Sequence, residues 1–365
     1  MSRQGPLTGV RVVEFAGLGP APFCAMLLAD MGADVLRIDR PGAGAHRADL
    51  IHRGRRSLAL DLKEAAGIET CLAVMDKADV LIEGFRPGVM ERLGLGPDCL
   101  LGRIPRLIYG RLTGWGQQGP LAQAAGHDIN YIALTGALAA IGEPGGPPTP
   151  PLNLVGDFAG GSLYLAFGIA AALFERSRSG LGQVIDAAIV DGTASMMTFF
   201  QGLVAMGMSG MARGQGLLSG GAPFYACFAC ADGKHVSVGS LEPQFFALLT
   251  EGLGLSAEDF ADRHNPASWV RHKATIAAAF RTKTRDEWTA IFEGTDACFA
   301  PVLTLEEAHG HAHMRERGVY IERDGLMQAA AAPRLSRTPG QVGRAPVRAG
   351  TGGEDALREW GVFPA

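Results

Sequence analysis

Residues 10–39 read VRVVEFAGLGPAPFCAMLLADMGADVLRID. Val10–Phe15 is a short β-rich run that ends at Ala16-Gly17, and Pro22–Asp30 has the composition of a helix with Gly32 just beyond its end. Asp34–Asp39 is a second β-rich run, stopped by Pro41-Gly42. The same rhythm continues outward. Ser57–Leu62 reads as a third strand, Lys63–Met75 as a helix, Asp79–Glu83 as a fourth strand and Leu107–Gly110 as a fifth. Strands separated by helices in this order argue for an α/β fold built on a parallel sheet with helices on both faces. Ligands of such sheets sit beyond the carboxyl ends of the strands.

From about residue 127 to 212 the pattern is helical, broken by the Pro/Gly loop Gly142–Pro151. Tyr225–Val238 alternates and contains Ala231-Asp232-Gly233-Lys234, a hairpin turn signal. Helical segments run to about residue 295, and Ala300–Leu303 reads as a strand. The expected organisation is a large domain over 1–190, a helical linker over 191–224, a smaller α/β domain over 225–315, and a segment over 316–365 that returns to the large domain.

The 365 residues include 47% hydrophobic side chains, ample for a large core, and carry a formal net charge of −4. That balance argues against non-specific nucleic-acid binding. Met1–Glu14 lacks the apolar stretch and cleavage site of a signal peptide, and Val362-Phe363-Pro364-Ala365 is not a peroxisomal signal, so a cytoplasmic location is expected. The six cysteines lie mostly in apolar runs and read as reduced core residues. Cys227 and Cys230 form a CxxC without a second close Cys/His pair, and His309, His311 and His313 fall at i, i+2 spacing on a helix-like segment; neither reads as a metal site. Phe158–Phe174 and Gly192–Ala212 carry no charge and approach the length of a membrane span. Their Gly, Ala, Ser and Thr content reads as buried or interface helices, with no membrane partner expected.

The loop Gly17-Leu18-Gly19-Pro20-Ala21-Pro22 begins like GxGxxG, with Pro22 where the third glycine should stand. Asp39 ends the second strand, where a dinucleotide ribose ligand would lie; a tight turn is the favoured reading over a dehydrogenase. Between Arg40 and Lys63 there are six basic side chains (Arg40, Arg47, Arg53, Arg55, Arg56, Lys63) against Asp49 and Asp61. At the mouth of a parallel sheet this points to a small polyphosphate ligand, since the arginine fork grips phosphate oxygens bidentately; a solvated basic loop is the alternative. Gly84-Phe85-Arg86-Pro87-Gly88 after the fourth strand again offers backbone N–H groups and an arginine. Two residues are acid–base candidates: His127, at the apparent start of a helix, and Asp157, directly before the long apolar helix. A structural histidine and a helix-capping aspartate are the competing readings. No GxSxG, HExxH or Walker A motif occurs.

Gly5–Glu14 (GPLTGVRVVE), Asp30–Pro41 (DMGADVLRIDRP), Leu112–Gln117 (LTGWGQ) and Ala300–Leu303 (APVL) together resemble the family III CoA-transferases. Within that family, Gly126–Tyr131 (GHDINY), Gly156-Asp157 and Gly239–Gln244 (GSLEPQ) are similar to the branch that racemises α-methylacyl-CoA thioesters. The resemblance runs from about residue 5 to 340. It implies a Rossmann-like large domain, a smaller α/β domain and an interlocked homodimer whose active site lies between the large domain of one subunit and the small domain of the other. By motif it places the coenzyme A contacts on Arg40, Leu60, Asp61, Leu62, Lys63, Gly84, Phe85, Arg86, Arg92, Gly126, Asp128, Ile129, Asn130 and Tyr131. One departure is visible: the family's Asn-Arg-Asn-Lys-Arg-Ser reads His52-Arg53-Gly54-Arg55-Arg56-Ser57, which keeps the charge.

The same resemblance assigns proton transfer to His127 and Asp157, with Glu242 orienting the imidazole. The implied reaction interconverts the (R) and (S) forms of 2-methyl-branched acyl-CoA thioesters by proton transfer through an enolate. It needs no metal and no cofactor beyond the coenzyme A carried on the substrate. A helix N-terminus after Gly156 is the expected source of N–H donors for the enolate oxygen; its N–H groups favour an ionised Asp157, and burial opposes that. The alternatives are a CoA-transferase in which Asp157 attacks the thioester carbonyl, and a non-catalytic acyl-CoA-binding protein.

Overall fold

The computed structural model describes residues 4–44, 46–207 and 212–362. Met1–Arg3 of the leader reading, Met208–Met211 of the second uncharged stretch and the terminal Phe363–Ala365 lie outside the described residues. The chain folds as two compact units. One comprises Met1–Thr135, Pro151–Met197 and Gly318–Ala365, the other Gly136–Pro150 and Thr198–Arg317.

The first unit is built on β1 (Arg11–Phe15), β2 (Asp34–Asp39), β3 (Arg56–Ala59), β4 (Val80–Glu83), β5 (Ile108–Thr113) and β6 (Val184–Ala188). All adjacent pairs are parallel, in the order β3-β2-β1-β4-β5-β6. This is the doubly wound order, whose switch point falls between β1 and β4. Both faces are covered, so the strands carry apolar residues on each side. Val12, Val35, Val80, Ile82 and Ile108 pack on one face with α1 (Pro20–Asp30). Val13, Phe15, Leu36, Leu81 and Tyr109 pack on the other with α2 (Ala65–Met75), and Trp360 of the Gly353–Trp360 helix closes that core.

β6 is a strand inside a stretch whose composition reads as helix throughout. Val184–Ala188 has no alternation of its own, and it is a strand because β5 has a free edge to pair with, from Tyr109–Val184 to Thr113–Ala188. The helix before it also begins earlier than its sequence indicates. A π-helical segment, Leu154–Leu163, runs directly into α-helix Tyr164–Ser179. Together they are long and apolar enough to cross a membrane by length and composition. Leu165, Ile169 and Ala172 are buried in the sheet's core, while Phe167 and Phe174 are 75% and 66% exposed.

The second unit holds the antiparallel strands Tyr225–Ala229, His235–Gly239 and Phe299–Pro301, with the hairpin turn where the sequence places it. Phe246, Phe280 and Trp288 lie in its core. Of the six cysteines expected in cores, Cys24, Cys71 and Cys230 are buried, whereas Cys99, Cys227 and Cys298 are exposed; all are free thiols.

The basic segment requires a larger correction. Arg53, Arg55 and Arg56 are buried and face the protein's own acids. Arg53 clamps Asp30 with bonds of 2.5 and 3.2 Å, Arg55 meets Glu14 at 2.8 Å, and Arg56 bridges Asp34 at 2.7 Å and Glu359 at 2.6 Å. Their partners lie far away along the chain, so a local charge count cannot see them. Asp39, the ribose-ligand position of a dehydrogenase, is itself tied to Arg37 at 2.7 Å and to the Ser57 hydroxyl. Breaking such a buried pair leaves an uncompensated charge and costs about 3–5 kcal/mol. Arg53→Ala should therefore lower unfolding stability by about that amount in a urea titration; a loss under about 0.5 kcal/mol, as at an open surface, would contradict the structural role.

Candidate active site

Two cavities open at the carboxyl edge of the sheet, one on each side of the β1–β4 switch point. The larger, about 940 Å³, lies over the ends of β1, β2 and β3, and its wall includes Arg40 and Leu60, Asp61, Leu62 and Lys63. The smaller, about 380 Å³, lies over β4 and β5, where Gly84, Trp115, Gly126, His127, Tyr131 and Asp157 line it. Leu18, Phe85 and Arg86 line both, so these three side chains stand where one cavity passes into the other. Arg92, in the turn Val89–Arg92, lines neither, and nor do Asp128, Ile129 and Asn130.

The loop between the cavities is held from beneath. Glu83 is fully buried at the end of β4; its carboxylate accepts the Phe85 N–H at 2.7 Å and Arg111 Nε–H at 2.8 Å. Arg111 also meets Glu91 at 2.8 Å. A carboxylate with two charge-assisted or backbone donors fixes the path of Gly84-Phe85-Arg86 and aims Arg86 at the passage. The far wall depends on close packing. The Tyr131 ring lies against Gly114, where a Cβ would stand 2.0 Å from its carbons, and it meets Trp115 edge-on at 4.8 Å. Tyr131 also donates its hydroxyl proton to the Gly126 carbonyl. Glycine in LTGWGQ is thus required by the tyrosine of GHDINY.

His127 is exposed and immediately precedes α3 (Asp128–Leu134); its N–H is accepted by Asn130 Oδ1 at 3.0 Å. Asp157 does not cap the apolar helix. It lies inside the π-helical segment, whose cap is Asn153 and whose first i→i+5 bond runs from the Phe158 N–H to the Asn153 carbonyl at 3.2 Å. Asp157's own N–H is taken by the Asp128 carboxylate at 2.7 Å. The expected row of free donors after Gly156 is therefore shifted toward Leu154 and partly consumed. π-Helical turns recur where a side chain must be re-aimed at a functional site.

Burial pushes the Asp157 carboxyl above the ordinary aspartate range, and the neighbouring Asp128 charge adds to this; a long bond from Asn153 Nδ2 (3.4 Å) and the charge of His127 oppose it. Between helix-end donors and burial, burial wins. The result is an imidazole and a carboxyl of raised proton affinity on the wall of one cavity, next to a second cavity with Arg40 and Lys63 on its rim. Glu242 belongs to the second unit, exposed and directly before the Pro243–Leu253 helix. Among the described residues no group of three or more His, Cys, Asp or Glu is arranged to hold a metal ion.

Sequence reasoning passed over Gly19 and Asn153. Gly19 has φ +68°, and a Cβ there would stand 3.2 Å from Asp157 Oδ2, so the turn glycine also makes room for the carboxylate. Asn153 stands one helical turn before Asp157, a spacing that could have pointed to it. Leu18, 92% exposed at the passage, is a large apolar side chain with nothing in the sequence to mark it.

The model of CoA-transferase family III matches residues 7–351. The chain is 52% identical to the mouse (Mus musculus) alpha-methylacyl-CoA racemase over 91% of its length and 87% of that protein's. To the human (Homo sapiens) protein of the same name it is 49% identical, over 91% of this chain and 87% of the relative. Among solved structures, a CAIB/BAIF family protein from Brucella suis superposes with a TM-score of 0.83 at 26% identity, covering 98% of this chain and 100% of that one.

Proposed function

The chain belongs to CoA-transferase family III, and we propose that within it this protein is an α-methylacyl-CoA racemase. One observation carries the proposal: His127 and Asp157 line the same cavity, which adjoins a larger one rimmed by Arg40 and Lys63. The larger cavity takes the nucleotide part of coenzyme A, with Arg40 and Lys63 facing its phosphates. The pantetheine arm crosses between Leu18, Phe85 and Arg86, and the thioester enters the smaller cavity. CoA binds as part of the substrate.

In the forward direction one of the two groups removes the proton from the α-carbon. The C–H electron pair becomes the C=C bond of an enolate, and the carbonyl π pair moves to the thioester oxygen. The second group then delivers its proton to the opposite face of the α-carbon, and the carbonyl reforms. The atoms balance, with the two groups exchanging protonation states. A carboxyl whose proton affinity is raised by burial is suited to the donor role, since proton transfer is most effective when donor and acceptor affinities approach the operating pH.

Glu242 is proposed to orient the imidazole within a homodimer, the second subunit covering the exposed apolar residues Phe167 and Phe174. Identities of 52% and 49% to proteins named as racemases, against 32% to one named as an acyl-CoA transferase, favour racemisation over CoA transfer through Asp157.

Incubating the protein with one epimer of a 2-methylacyl-CoA in deuterated water, with no acceptor acid, should place deuterium at the α-carbon as the epimers equilibrate. Recovery of unlabelled, stereochemically pure substrate would reject the activity. Arg40→Ala should raise KM by roughly tenfold or more, the worth of one charged hydrogen bond at about 1.5–3 kcal/mol, and leave kcat nearly unchanged, because a distant phosphate contact is uniform binding. A fall in kcat at constant KM would exclude that contact.

A further inference from the structure

We propose that Asp128, which the family resemblance places among the coenzyme A contacts, is instead a positioning residue that locks the two proton-transfer groups to each other through the Asp157 backbone. This rests on the racemase reading for its catalytic meaning. The geometry is unusually direct. Asp128 follows His127 in the chain, is 8% exposed and lines neither cavity. Its Oδ1 accepts the Asp157 N–H at 2.7 Å, a donor that the π-helical first turn leaves without a partner inside its own helix. Gly156 is part of the same device. A Cβ at that position would stand 2.3 Å from Asp128 Oδ1 and 2.9 Å from Ile132 Cγ2, so only glycine lets the carboxylate reach the next residue's N–H. One residue is thus next to His127 in the chain and hydrogen-bonded through its carboxylate to the backbone N–H of Asp157.

The bond has an electrostatic consequence. The titratable groups facing Asp157 are Asp128 and His127 at the start of α3 and Tyr131 further along it; from the β1–α1 loop the neighbour is uncharged Gly19, and from its own helix neutral Asn153. Asp128 is the one negative charge in this set. It opposes ionisation of Asp157, so removing it lowers the proton affinity of that carboxyl.

Two substitutions separate position from charge. Asp128→Asn keeps an acceptor oxygen for the Asp157 N–H and removes the charge; Asp128→Ala removes both. Carbon-13 NMR titration of the free protein, with the Asp157 signal assigned by Asp157→Asn, should show Asp157 titrating at lower pH in Asp128→Asn than in the parent. α-Proton exchange should fall about 100-fold in kcat in Asp128→Ala, the cost of a displacement on the order of 1 Å, with a smaller loss in Asp128→Asn and its acidic limb moved to lower pH. An unchanged Asp157 titration in Asp128→Asn, or exchange within about threefold of the parent in Asp128→Ala, would overturn the proposal. Lack of exchange in the parent would instead sink the racemase reading, while the titration still decides on Asp128 because it needs no turnover.

Discussion

Half out of water, the Asp157 carboxyl is penalised when it ionises, and its surroundings do not remove that penalty. The Asp128 carboxylate adds to it, and the neutral Asn153 amide reaches it only at 3.4 Å. An aspartate in bulk water would be a weak proton donor near neutrality. Burial raises the proton affinity of Asp157, which lines one small cavity together with the His127 imidazole, and so brings it closer to neutrality than a solvated aspartate. The proposed chemistry at the α-carbon depends on that competition between burial and charge.

The sheet explains why this pair stands where it does. The order β3-β2-β1-β4-β5-β6 opens a crevice between the ends of β1 and β4, and both cavities use it. Ion pairs of buried arginines tie the strands to the helices and the C-terminal segment around that crevice: Arg55 with Glu14, Arg53 with Asp30, Arg56 with Asp34 and with the exposed Glu359. Glu83 then turns the end of β4 into a rigid support for Phe85 and Arg86. Charges consumed inside the protein leave Arg40, Lys63 and Arg86 as the basic groups that line the cavities.

The first five strands and α1 were legible because each is a self-contained apolar run punctuated by Gly, Pro or a charged residue. β6 was not, since its strand character comes from the free edge of β5 and not from its own five residues. His127 and Asp157 were recognisable as residues and by family likeness, but Asp157's place inside a π-helical turn was not; composition cannot distinguish i→i+5 from i→i+4 bonding. The basic segment misled for a related reason. A local excess of arginine looks like a phosphate site until partners far along the chain, such as Glu359 for Arg56, are brought beside it. Asp128 was read as a ligand contact from the family motif alone, and its hydrogen-bond partner 29 residues away is invisible in that motif.

The central claim is that an imidazole and a carboxyl act on opposite faces of one carbon. The most direct measurement is stereospecific: α-proton washout into deuterated water from each separate epimer of a 2-methylacyl-CoA, in His127→Ala and in Asp157→Asn. Each variant keeps one of the two groups, so each should exchange the proton of one epimer without inverting it, and the two variants should choose opposite epimers. Washout from both epimers in either variant, or the same epimer in both, would contradict the account.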